Sequence, residues 1–124
     1  MRPTRIDHLV VYAADVDATC AFYERLGLER REFDGGRVAL HLGDAKINVH
    51  PAGDEYDPHA ADPAPGAADF CLTVPDIDAA RDRLAGAGID VVEGPVAKTG
   101  ARGPMTSVYV RDPDGNLVEL AAYD

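Results

Sequence analysis

The sequence predicts an α+β fold built from two βαβββ modules, and three observations carry that reading. A shift of 61 residues (69 − 8) aligns the opening strand, the helix and the following glycine of the two halves without a gap. In each half an apolar strand runs into an aspartate suited to cap a helix, and a glycine follows where a left-handed helix end is expected. Short β-rich runs then complete each half.

The elements follow in order. Under the shift His8-Leu9-Val10-Val11 lies over Asp69-Phe70-Cys71-Leu72, Asp15-Val16-Asp17-Ala18 over Asp76-Ile77-Asp78-Ala79, and Gly27-Leu28 over Gly88-Ile89. Opening strands are expected at 6–13 and 69–74. Helices are expected at 15–26 and 77–87, capped by Asp15 and Asp76, which accept from free backbone N–H groups. One helix face carries Val16, Thr19, Tyr23 and Leu26; the other helix repeats this with Ile77, Ala80, Leu84 and Ala87. Later strands are expected near 28–34, 37–42 and 45–50, and near 89–93, 104–111 and 116–122. Pro51, Pro58, Pro63 and Pro65 disfavour regular structure between the modules. The expected organisation is a single domain over 1–124, with module 1 at about 5–50, a linker at about 51–68 and module 2 at about 69–122.

Strand alternation separates two faces. Leu9, Val11, Phe70, Leu72, Val118 and Leu120 form the helix-packed set, whereas His8, Asn48, His50, Asp69 and Glu119 share the opposite face. His8 matches Asp69 by repeat, and Asn48 matches Glu119 because Ile47-Asn48-Val49 overlays Val118-Glu119-Leu120. His41 and His59 fall at no repeat-equivalent inward position and read as exposed or structural. Cys20 and Cys71 have neither metal-ligand spacing nor a disulfide framework and read as small buried side chains.

Composition bounds the partners. The 124 residues suit one ordinary domain, and 46% hydrophobic with 27% charged residues is a globular balance. A net charge of −10 repels phosphate backbones and anionic membranes, so neither nucleic acid nor a membrane is an expected partner. The apolar run in MRPTRIDHLVVY is too brief for a signal peptide or span, and the expected location is cytoplasmic.

The segments IDHLVVYAADVDATCAFYERLGL, KINVH, ADFCLTVPDIDAA and RDPDGNLVEL resemble motifs of the vicinal-oxygen-chelate (glyoxalase/bleomycin-resistance/dioxygenase) superfamily, over essentially residues 5–123. KINVH, PGAADFCL and EGPVAKTGARG are most similar to the glyoxalase-domain-containing-protein-5-like branch. The resemblance implies that the modules form a cup-shaped mixed β-sheet with flanking helices, assembled as a homodimer. It also implies a divalent-metal site, with His8 and Glu119 carried over as ligands and His50 and Asp69 as the further candidates. Asn48 stands where the family often has Glu, and Asp69 where it often has His. Two imidazoles and two carboxylates suit Mn, Fe, Co, Ni or Zn as the divalent first-row ion.

Two functions follow from the resemblance. One is a metal-dependent lyase, isomerase or dioxygenase acting on a small oxygen-rich substrate, with Glu119 or another carboxylate also moving a proton when it leaves the metal. The other is a non-catalytic protein that sequesters an antibiotic or metabolite, as bleomycin-resistance relatives do. Tyr12, Asn48, Lys98, Arg102 and Tyr109 are the expected substrate-binding residues, Lys98 and Arg102 lying in the Gly/Pro-rich stretch Glu93–Pro104 that reads either as a connecting hairpin or as a covering loop.

Overall fold

The computed structural model describes residues 1–124. The elements run β1 (His8–Ala13), α1 (Val16–Arg25), β2 (Glu29–Phe33), β3 (Arg37–Leu42), β4 (Ala45–Pro51), β5 (Asp69–Thr73), α2 (Ile77–Gly86), β6 (Glu93–Gly100), β7 (Gly103–Arg111) and β8 (Leu117–Tyr123). The chain divides into two compact units, Met1–Gly66 and Ala67–Asp124, and each is βαβββ. No helix is long and apolar enough to cross a membrane.

In the first unit the sheet order is β1-β4-β3-β2, with β1 parallel to β4 and the other pairs antiparallel. The Asp15 carboxylate accepts from the Ala18 N–H at 3.0 Å and starts α1. Gly27 ends the turn at φ 102°, a conformation that side chains with a Cβ rarely adopt. Thr19, Cys20, Phe22 and Tyr23 of α1 are buried, as are Val11, Val38, Leu40, Ile47 and Val49 on the sheet. Each fully buried Val, Leu or Ile contributes about 1.5–3 kcal/mol relative to exposure. Of the expected α1 face, Val16 and Leu26 are only half-buried.

The second unit repeats the design as β5-β8-β7-β6, with β5 parallel to β8. Asp76 caps α2 by accepting from the Asp78 and Ala79 N–H groups. Gly88 follows at φ 70°. Leu84 is the buried residue of α2, and Val108, Val110, Val118 and Leu120 form the sheet's apolar side.

The strand expected at 89–93 is displaced. Regular pairing begins at Glu93 and continues to Gly100, so the Gly/Pro-rich stretch is a strand in a hairpin with β7 rather than a covering loop. The reason is β6's position at the sheet edge, where a proline lacking its N–H is tolerated. The register shifts between Glu93 and Val96, and there a Cβ on Gly94 would meet the Ser107 carbonyl oxygen at 2.5 Å. Cys71 also differs from expectation: β5 is an edge strand and Cys71 is exposed, whereas Cys20 is buried.

Candidate metal and ligand site

The ladders sort each sheet's far face, the one turned from its helix, into rows. On the first sheet His8 pairs with Lys46 and Lys46 with His41; Val10 pairs with Asn48 and Asn48 with Ala39; Tyr12 pairs with His50. On the second, Asp69 pairs with Leu117 and Leu117 with Arg111; Cys71 pairs with Glu119 and Glu119 with Tyr109; Thr73 pairs with Ala121 and Ala121 with Ser107. His8 and Asp69 thus hold matching places, as do Asn48 and Glu119. His41 shares the His8 row and is half-buried.

His8 is exposed, and its Nδ1 lies 2.8 Å from Asp7 Oδ1. With the carboxylate accepting, Nδ1 donates, and in the neutral ring this leaves the lone pair on Nε2. This is the arrangement in which a second carboxylate orients a metal-binding imidazole. The bond to His8 also holds the Asp7 carboxyl below its usual range.

His50 stands in different surroundings. It is 8% exposed and lies edge-on to Tyr12 and Tyr56, with ring centroids 5.7 and 5.1 Å away. Burial, then the Arg37 charge, lowers its pKa and favours the neutral ring. Its buried Nδ1 and the buried Oδ1 of Asn48 have no hydrogen-bond partner. The Tyr12 hydroxyl accepts from the Ala60 N–H at 3.0 Å. Because His8 pairs with Lys46, His50 is four residues away along the ladder, roughly 13 Å at about 3.3 Å per residue. The first sheet therefore does not bring its two expected imidazole ligands together.

Glu119 is half-buried, and Oε2 accepts from Ser107 Oγ at 2.6 Å. Tyr109 neighbours it across the ladder; burial, then the Glu119 charge, raises the phenol's pKa and keeps it a hydrogen-bond donor at neutral pH. The Cys71 thiol is pushed up to about 11, first by burial of the sulfur and then by the Glu119 charge. Asp69 lies two residues from Cys71 on the same far face and lines a cleft of about 620 Å³ with Val92, Glu93, Tyr109, Arg111 and Leu117.

Lys98 Nζ sits 5.8 Å from the Tyr109 ring centroid, which keeps this cation near the Glu119 row. Arg102 instead lies over Tyr123 at 4.3 Å, four residues along β8 from Glu119. No three His, Cys, Asp or Glu side chains form a ready metal-holding cluster. Taken singly, His8 and Glu119 each have donor chemistry suited to a first-row divalent ion, and each is oriented by a hydrogen bond at one heteroatom. Sequence reading missed Asp7, Ser107, Arg37 and Tyr56. Alternation in Met105-Thr106-Ser107-Val108-Tyr109 offers a signal for Ser107, which shares the far face with Tyr109.

The family model for the Glyoxalase/Bleomycin resistance protein/Dioxygenase superfamily matches residues 5–120, and the chain belongs to that superfamily. It is 50% identical over 119 residues to Glyoxalase domain-containing protein RDO1 of Mycosarcoma maydis, covering 95% of this chain and 68% of the relative. Virulence protein STM3117 of Salmonella typhimurium is 46% identical over 121 residues, covering 96% and 84%. Its crystal structure superposes with a TM-score of 0.97 at 44% identity over 100% of both chains. An ethylmalonyl-CoA/methylmalonyl-CoA epimerase of Cereibacter sphaeroides is 36% identical over 129 residues, covering 94% and 96%. A lactoylglutathione lyase structure from Agrobacterium tumefaciens matches with a TM-score of 0.74 and 28% identity over 98% and 95%.

Proposed function

We propose that this chain is a divalent-metal-dependent enzyme of lyase, isomerase or dioxygenase type acting on a small oxygen-rich substrate. His8, Asp69 and Glu119 are the protein donors, and His50 belongs to the substrate wall. The observation that carries the reading is the hydrogen-bond support behind two candidate donors: Asp7 holds His8 Nδ1 and Ser107 holds Glu119 Oε2. A bound divalent ion would polarise a substrate oxygen. Once its other oxygen is released from the ion, Glu119 takes up or returns a substrate proton there, while Oε2 stays with Ser107. Tyr109 stays a phenol and donates a hydrogen bond, and Lys98 adds positive charge beside its ring.

The similarity to a lactoylglutathione lyase and an epimerase supports an enzyme. A sequestering role for an antibiotic or metabolite is the second reading, favoured by the ring cluster of Tyr12, His50 and Tyr56. We expect a cytoplasmic homodimer. Exposed Ile6, Val91 and Val92 supply apolar surface for self-association, and light scattering at micromolar concentration tests it.

Metal analysis of protein purified without chelator separates the functions. The enzyme reading expects a stoichiometric first-row ion in wild type and lower occupancy in His8→Ala and Glu119→Gln, with the fold retained. Full occupancy in both variants would remove these residues as ligands. A wild type that binds no ion yet binds a small planar ligand would make sequestration the function.

A further inference from the structure

Arg37 differs from the arginines that form carboxylate pairs. Arg5, Arg30, Arg31 and Arg81 each lie within 4.0 Å of an acidic oxygen, whereas Arg37 forms no ion pair in a chain of net charge −10. Its guanidinium Cζ is 4.3 Å from the Tyr56 ring centroid. A cation held near an aromatic ring retains N–H groups that match a carboxylate or phosphate oxygen pair.

The register places this cation beside unmet hydrogen-bonding groups. Arg37 precedes Val38, whose partner Val49 precedes His50, so Arg37 and His50 stand opposite one another on the far face. Asn48 is two residues from His50 on that face and faces small Ala39. His50 and Asn48 are 8% and 9% exposed, and His50 Nδ1 and Asn48 Oδ1 lack partners. A buried polar atom without a partner costs about 1–3 kcal/mol. Two of them beside an unpaired guanidinium define a polar locus that the backbone ladder does not satisfy.

We propose that the first sheet carries an oxyanion subsite for a small 2-hydroxy acid or its phosphonate counterpart, with Arg37 taking the anionic group and Asn48 Oδ1 and His50 Nδ1 engaging the adjacent hydroxyl. The proposal names a substrate class and rests on the reading that this face meets substrate. Tyr12 and Tyr56 border the imidazole edge-on and limit the subsite to a compact ligand. Asn48 Oδ1 accepts a hydrogen bond from the ligand's hydroxyl, and His50, in the neutral tautomer with its proton on Nδ1, donates to the hydroxyl oxygen.

The full-length protein is titrated in EDTA with glycolate and hydroxymethylphosphonate, with acetate and glycolamide as comparison ligands, while NMR follows the His50 imidazole and Arg37 guanidinium signals. At least one acid is expected to shift both sets saturably, and the two acid arms distinguish carboxylate from phosphonate. Acetate is expected to bind several-fold more weakly than glycolate if glycolate is the acid that binds, and glycolamide not to bind measurably. Arg37→Gln should weaken the binding acid by about tenfold or more, the scale of one charged hydrogen-bond contact. Arg37→Lys retains the charge and should bind more tightly than Arg37→Gln; if the glutamine variant does not fold, the lysine variant and the wild-type ligand series decide. Unshifted His50 signals with both acids, measurable binding of glycolamide as tight as that of glycolate, or unchanged affinity in folded Arg37→Gln would overturn the proposal. Ion content is measured separately, so failure of the metal reading is distinguishable from failure of this one.

Discussion

Ser107 Oγ donates to Glu119 Oε2 across neighbouring strands at 2.6 Å, from a serine with no exposed surface. Ser107→Ala leaves the Glu119 carboxylate in place but removes a donor that orients it. In the metal-binding reading, affinity for a first-row ion should fall about 10–100-fold, the usual effect of losing a supporting partner. Competition with a coloured chelator measures this, and an unchanged affinity would show that Ser107 does not position a ligand.

His50 makes stability depend on pH. The unfolded chain protonates this imidazole near the ordinary value of 6.5, whereas the folded chain does so only at lower pH. The unfolded state therefore binds more protons as pH falls through about 6.5, and stability falls with it. The contribution is present above about 6.5 and is lost toward the folded-state value. Urea unfolding at about pH 7.5 and 5.5 should show the decrease, and His50→Gln should flatten it; equal slopes in both proteins would exclude His50 as the source.

Cys71 should alkylate slowly although the residue is exposed. With its thiol pushed up to about 11, roughly one molecule in 4,000 carries the thiolate at pH 7.4. Iodoacetamide labelling followed by peptide mass spectrometry should run about a hundredfold slower than in the urea-unfolded chain. The rate should rise with pH, and Glu119→Gln should increase it modestly by removing the lesser of the two causes. Labelling at the unfolded-chain rate would contradict this assignment.

Asp112 builds the turn leading into β8. Its Oδ1 accepts from the N–H groups of Asp114 and Asn116, and its Oδ2 from Asn116 Nδ2, while Asn116 Oδ1 accepts from the Ala68 N–H. Asp112 and Asn116 are both buried. Asp112→Ala should destabilise the protein by about 3 kcal/mol, because it removes charged hydrogen bonds and strands the Asn116 amide. A midpoint shift near zero in urea would show that the turn tolerates their loss.

The repeat was legible because its signals act locally. Asp15 and Asp76 meet N–H groups two or three residues ahead, and Gly27 and Gly88 supply positive φ directly after their helices. Alternation also sorted His8 from Leu9 and Glu119 from Leu120. Glu93–Gly100 was harder to assign, since tolerance of Pro95 depends on its edge position and Gly94 on the approach of Ser107. The relationships Ser107–Glu119 and Arg37–His50 depend on the register between strands, and the partner of Asn48 depends on where β3 turns into β4. Cys71's exposure likewise comes from strand order rather than from its apolar neighbours.

Matching rows of the two sheets carry different chemistry: Arg37 and His50 stand where the other copy has Ser107 and Ala121, while Glu119 stands where the first has Asn48. Duplication thus leaves one backbone pattern with two separately mutable inheritances. In the proposed reading, a substitution in the imidazole-bearing copy would alter ligand preference without editing the carboxylate-bearing ladder. Under that reading the redundancy of the repeat becomes a division of labour in which specificity and proton handling can drift at different rates.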